Sequence, residues 1–265
     1  MKLRIFFAFF ILAFSYCTTL SAQTLHAIII GDTTDGTIGD GIKGNLAKIE
    51  SLLKVMESSA GITVKRYQVV DTNFNCKSIR QAVQNLAPGA DDAVLFYYAG
   101  HGFRRDSTQT TFPEFDCRRS ADPDQAQLSW VTSTLLDKKP RLIVALADTC
   151  NVPVAPTPTP ATASLNSRDN RTAGLRRLFL TYRGMLTMSG AVPGTYSYYY
   201  NSGPSLGGFF TNQLLTVLDQ QTNTKGDLVH WEEIAAAATQ KIYIPTAPPT
   251  EQLPQSSALN LSYGN

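Results

Sequence analysis

Charge is scarce in this chain. Only 17% of its 265 residues are Asp, Glu, Lys or Arg, and the formal net charge is +2. The two surplus cations, Lys2 and Arg4, lie in the first 22 residues, so the remainder is neutral. A neutral chain has no basic field to gather nucleic acid or to hold an anionic membrane. Long apolar runs are missing after residue 22, which excludes a later membrane span of ordinary length. No Cys-x-x-Cys pair occurs, which removes the common redox motif. There is no internal repeat and no dense acidic cluster.

The first residues form a separate unit. Lys2 and Arg4 precede the apolar stretch from Ile5 to Tyr16, and Leu20-Ser21-Ala22 offers a small residue before Gln23. This is the layout of a secretory signal peptide over residues 1–22, with an uncleaved anchor as the alternative. Bulky Phe14 and Tyr16 precede Cys17 where a lipoprotein signal needs small residues, so lipidation is not expected. The expectation is an exported protein, periplasmic or extracellular, with no membrane contact once the leader is cut. Export bears on the three remaining cysteines, Cys76, Cys117 and Cys150. Either Cys76 and Cys117 pair and leave Cys150 as the odd thiol, or those two also stay reduced.

Residues 23–265 read as one domain. Leu25 to Ile30, Thr63 to Val70, Ala93 to Tyr98 and Leu142 to Ala147 are strand-length runs, the last two continuously apolar and the first broken only by His26, as in parallel sheets buried on both faces. Helical spacing links Leu46, Ile49, Leu52, Leu53 and Met56, and Asn75 can cap a helix carrying Ile79, Val83 and Leu86. The polar, glycine-rich stretch from Thr33 to Gly44 reads as a loop for substrate contact. Phe103 to Asp124 reads as loop, residues 152–172 as a flexible Pro/Thr-rich linker, and residues 245–265 as a proline-rich coil tail. Gly184 to Ser189 reads as a strand, Phe209 to Leu218 and Leu228 to Ile242 as helices. His26 and His230 read as packing residues.

Two strands end in reactive groups. Ala93 to Tyr98 runs into Ala99-Gly100-His101-Gly102, and Leu142 to Ala147 runs into Asp148-Thr149-Cys150. Open α/β sheets place their chemistry at these carboxyl ends. A thiol beside an imidazole is the usual means of activating a cysteine nucleophile.

With Met188-Ser189-Gly190-Ala191-Val192-Pro193-Gly194 and Gly207-Gly208-Phe209-Phe210-Thr211-Asn212 downstream, this order of motifs resembles the caspase-like cysteine peptidases, including metacaspases and their bacterial relatives. The resemblance runs from Thr24 to about Gln255. It implies an α/β, three-layer fold with a mostly parallel six-stranded sheet and helices on both faces. It implies a peptide or protein substrate, attacked by Cys150 with His101 as base and later acid. The N–H groups of Gly102 and Cys150 would form the oxyanion hole. No third catalytic residue, cofactor or metal is implied as a requirement.

Specificity follows from the same resemblance. Animal caspases hold an acidic side chain with arginines, which are absent here: the corresponding positions are Ile42 and Tyr199. Metacaspases cut after Arg or Lys and carry an aspartate where Asp148 stands, a serine where Ala99 stands, and an acid where Lys48 stands. A basic preference is expected, with Asp32 compensating or merely capping its loop. Ser189, Ser197, Tyr198 and Tyr199 complete the candidate substrate-binding set. Arg168, Arg171, Arg176 and Arg177 suit self-processing, with an uncut loop as the alternative. Calcium activation, found in many metacaspases, is left open. Altered pocket positions leave a second reading, a non-catalytic scaffold that binds peptides or partner proteins, and the oligomeric state is unknown.

Overall fold

The computed structural model describes residues 23–117, 126–153, 169–200, 203, 206–244 and 250–264. In chain order the first half comprises strand β1 (Thr24–Gly31), helix α1 (Gly39–Ser58), β2 (Thr63–Val70), α2 (Cys76–Gln84), β3 (Ala93–Ala99), β4 (Gly102–Phe103), β5 (Glu114–Phe115), α3 (Leu128–Asp137) and β6 (Leu142–Asp148). The second half holds α4 (Asp169–Leu180), β7 (Tyr182–Ser189), β8 (Tyr199–Tyr200), β9 (Gly207–Gly208), α5 (Phe209–Lys225), α6 (Trp231–Ala238), β10 (Ile242–Ile244), β11 (Thr250–Gln252) and β12 (Gln255–Tyr263).

Six of these strands form the central sheet in the order β12-β7-β6-β3-β1-β2, and only β12 runs antiparallel to its neighbour. The pleat divides each apolar run between two cores. Leu25, Ala27 and Ile29 of β1, Leu95 and Tyr97 of β3, and Val144 and Leu146 of β6 face one layer, which holds α1, α4, α5 and α6. Ile28 and Ile30, Phe96 and Tyr98, and Ile143 and Ala145 face the other, covered by α2 and α3. Every residue of β3 and β6 is buried, which is why their sequences show no polar alternation. A fully buried Leu, Ile or Phe contributes about 1.5–3 kcal/mol, so these central strands are strongly anchored.

Helix limits follow local chemistry. Asn75 caps α2, its side chain accepting from the Ser78 amide. α1 begins at Gly39, inside the stretch expected to be loop, because Asp35 accepts from the Ile38 and Thr37 amides and starts the turn early. Gly61, at φ +62, follows its end.

Several expectations need correction. The coil tail expected at 245–265 contains β11 and β12. Prolines at 245, 248, 249 and 254 suggested coil, but Gln255–Tyr263 finds an open edge on β7 and pairs along it. The linker expected at 152–172 ends sooner, since Asp169 begins α4. The loop expected over Phe103 to Asp124 contains the β4–β5 pair. The last helix covers only Trp231–Ala238, and Ile242 already belongs to a strand. The leader at residues 1–22, most of the linker and Arg168 lie outside the described residues. Among the described residues, no helix is long and apolar enough to cross a membrane.

Candidate active site

β3 and β6 are adjacent and parallel, with Ala99 opposite Asp148 in register. Each chain continues past the sheet, and two backbone bonds keep the extensions together. The Gly100 amide donates to the Asp148 carbonyl at 3.4 Å, and the Arg104 amide donates to the Val152 carbonyl at 2.9 Å. His101 and Cys150 lie between these bonds. Gly102 makes the approach tight: a Cβ there would stand 2.8 Å from the Cys150 carbonyl oxygen and 2.9 Å from that of Glu114.

His101 is fixed from several sides. Its carbonyl accepts from the Tyr98 hydroxyl at 2.7 Å and from the Asp116 amide at 2.9 Å. Tyr98 is itself held by stacking on Phe115 with centroids 4.0 Å apart. One residue beyond Asp116, Cys117 is disulfide-bonded to Cys76 at the start of α2. The imidazole is a third exposed, and its Nε2 lies 3.4 Å from both Asp35 Oδ2 and Thr37 Oγ1.

Cys150 is buried and reduced. Its Sγ donates to the Ser197 carbonyl at 3.4 Å. Burial pushes its pKa up to about 11, with the Asp148 charge adding to the effect. A folded thiol that binds its proton this firmly contributes stability in full below the ordinary value of 9.0, and that contribution disappears as pH rises towards 11. Between pH 8.5 and 11 the wild type should therefore lose about 2–3 kcal/mol more unfolding free energy than Cys150→Ser, read from urea titrations.

Asp148 is fully enclosed. Its Oδ1 accepts from the Ser197 hydroxyl at 2.7 Å; Oδ2 accepts from the Thr211 amide at 3.0 Å, the Thr211 hydroxyl at 2.5 Å and Asn45 Nδ2 at 3.2 Å. Burial raises its pKa, against the lowering effect of these bonds. The Tyr199 hydroxyl donates to the Asp148 carbonyl. Lys48 does not point to solvent: its Nζ donates to the Leu206 carbonyl and to Asn212, burial lowers its pKa, and the Asp148 charge opposes that. Ser197 thus touches both the Cys150 thiol and the buried carboxylate, and Gln252 Nε2 holds its hydroxyl at 2.9 Å.

The other candidate substrate residues also lie inside. Asp32, Ala99, Ser189, Tyr198 and Tyr199 are buried in this structure. Ser189 donates to the Ala191 carbonyl and accepts from Gln255. Ile42 is a core residue of α1. Three of the four candidate processing arginines fall in a helix. Arg171, Arg176 and Arg177 lie in α4, engaged respectively with Asp219, the Ala60 carbonyl and the Val229 carbonyl. A helical segment does not offer the extended backbone that a peptidase cleft takes. Among the described residues, no group of three or more His, Cys, Asp or Glu side chains could hold a metal ion.

The caspase-domain model matches residues 24–262, nearly the whole chain. The chain belongs to the caspase-domain family. No match is found among curated proteins. The six-stranded, mostly parallel sheet between helical layers is the caspase-like arrangement. Membership carries cysteine-peptidase chemistry, with protein or peptide substrates, at the level of the family. Within this caspase domain, sequence reasoning missed Asp35, Thr37, Asn45, Gln252 and Gln255. Asp35 and Thr37 do fall in the polar loop singled out for substrate contact, but neither residue type carries a motif of its own. The two glutamines lay in the stretch read as coil.

Proposed function

We propose that this caspase domain is an exported cysteine endopeptidase that uses His101 and Cys150. The observation that carries the reading is the register of β3 against β6, with its two flanking backbone bonds, which brings both residues to one rim. In the first step the Cys150 thiol passes its proton to His101 as sulfur bonds to the substrate carbonyl carbon. The amides of Gly102 and Cys150 would steady the oxyanion. The imidazolium then protonates the leaving amine, and water releases the acyl group from sulfur.

The preference proposed is for Arg or Lys on the amino side of the cut. Its support is the buried Asp148 carboxylate, which a substrate cation would compensate. Ser197 must swing aside to open that path, and the same movement releases the thiol. Self-processing is proposed at Arg168, before α4. Export is supported by the leader pattern and by the Cys76–Cys117 disulfide, which suits an oxidising compartment. No cofactor is proposed as a requirement, and activation by calcium is an outcome that the assay below reads.

The test is hydrolysis of fluorogenic Arg, Lys and Asp peptides by wild type and Cys150→Ala, with reductant, with and without calcium. Cleavage after Arg or Lys by wild type alone is the expected outcome. Equal inertness of both proteins would favour the second reading, a non-cutting scaffold. That reading draws on the enclosed carboxylate and the thiol held on Ser197.

A further inference from the structure

Asp35 stands in the loop between β1 and α1, and its two carboxylate oxygens have different tasks. Oδ1 accepts three bonds from its own loop: the Thr37 amide at 2.7 Å, the Thr37 hydroxyl at 2.6 Å and the Ile38 amide at 2.9 Å. Those bonds fix the carboxylate plane and leave Oδ2 directed to His101 Nε2, at 3.4 Å. Thr37 Oγ1, whose own hydrogen is committed to Asp35, presents a lone pair to the same ring nitrogen at 3.4 Å. We infer that Asp35, with Thr37 beside it, is a positioning residue that holds the Nε2–H of His101 and so reserves Nδ1 for the Cys150 proton. The inference rests on the peptidase reading and goes beyond a two-residue mechanism.

The chemistry favours a carboxylate at this place. Neutral imidazole carries one ring proton, and whichever nitrogen faces an acceptor keeps it. With two acceptors at Nε2, the proton stays there and Nδ1 is the free base. When the thiol proton arrives on Nδ1 the ring becomes a cation, which the Asp35 charge stabilises. Nothing is gained or lost in the exchange: the S–H bond breaks, the Nδ1–H bond forms, and the Nε2–H bond remains. Burial works against the charge on Asp35, but the Thr37 hydroxyl, the Ile38 and Thr37 amides and the His101 ring together hold its pKa at about 2. It is therefore ionised wherever the enzyme would work. The loop is also tied to the sheet, since the Asp32 amide donates to the Ala99 carbonyl at 3.3 Å, two residues before His101.

Asp35→Asn separates this role from loop structure. The asparagine carbonyl can keep the three bonds that Oδ1 makes, so the loop and thermal stability should be retained. Its NH₂ would then face Nε2 and turn that nitrogen into an acceptor, which moves the ring proton to Nδ1, the wrong nitrogen for accepting one from sulfur. The expected result is a kcat lower by about a hundredfold with KM unchanged. Asp35→Ser, which can still cap Thr37 and Ile38 but does not reach the ring, should lose a similar factor. Asp40→Asn, an exposed change one turn on, should keep wild-type kcat. Ring ¹⁵N shifts of His101, assigned against His101→Gln, give a readout independent of turnover: an Nε2–H tautomer in wild type and an Nδ1–H tautomer in Asp35→Asn. Unchanged kcat in Asp35→Asn, or the same tautomer in both proteins, overturns the inference. A wild type that cuts no peptide removes the peptidase reading instead, and the tautomer comparison then decides the pairing by itself.

Discussion

Gly102→Ala is expected to lower turnover by about a hundredfold or more and to cost the fold about 2–3 kcal/mol. The added methyl would meet the Thr149 hydroxyl, which can rotate away, but also the Cys150 and Glu114 carbonyl oxygens at 2.8 and 2.9 Å. Backbone on two sides leaves no direction of relief except separation of β4 from the Cys150 turn. A shift of several tenths of an ångström there would move the Gly102 amide off its proposed oxyanion-binding position and His101 away from sulfur together. The glycine backbone is not in the left-handed region, so the effect is one of space rather than conformational strain. Steady-state kinetics and urea unfolding of the same preparation give the two figures. Wild-type kcat in Gly102→Ala would mean that the two strand ends need not be this close.

Removing the disulfide is expected to have the largest effect on stability. Cys76 and Cys117 are separated by 41 residues, and both are buried. Closing a loop of that length in the unfolded chain accounts for about 4 kcal/mol. Cys76→Ala with Cys117→Ala should show that loss in urea unfolding against oxidised wild type, since alanines refill the site without a charged or polar group. A consequence for activity follows from position. Cys117 is next to Asp116, whose amide holds the His101 carbonyl. Loosening it should lower kcat more than it raises KM. An unfolding difference below about 1 kcal/mol would show that packing of Phe115 and Tyr98 holds this region without the bond.

Fold class was readable because burial on both faces leaves a local mark. Leu142 to Ala147 is continuously apolar, and such a run of six or seven residues between polar breaks has few other uses. Asn75 before Cys76 was readable for the same reason: a cap bonds within three residues. The C-terminal strand was not readable as part of the sheet. Gln255–Tyr263 is mostly exposed and polar, and its strand character comes from the open edge of β7. Alternation of Leu259, Leu261 and Tyr263 was the available signal, hidden by the prolines before it.

The candidate site divides in the same way. An imidazole after one buried strand and a thiol after another are properties of the linear chain, and so is a carboxylate two residues before the thiol. Which groups those side chains face is not. Asp148 meets Asn45, Ser197 and Thr211 from three distant segments, and His101 meets Asp35 across 66 residues of sequence. The sequence alone determined strand identity and end chemistry, because both depend on neighbours within a few residues. Tertiary structure decided that the thiol rests on Ser197 and the carboxylate is enclosed, because hydrogen-bond partners and burial depend on which distant segments pack together.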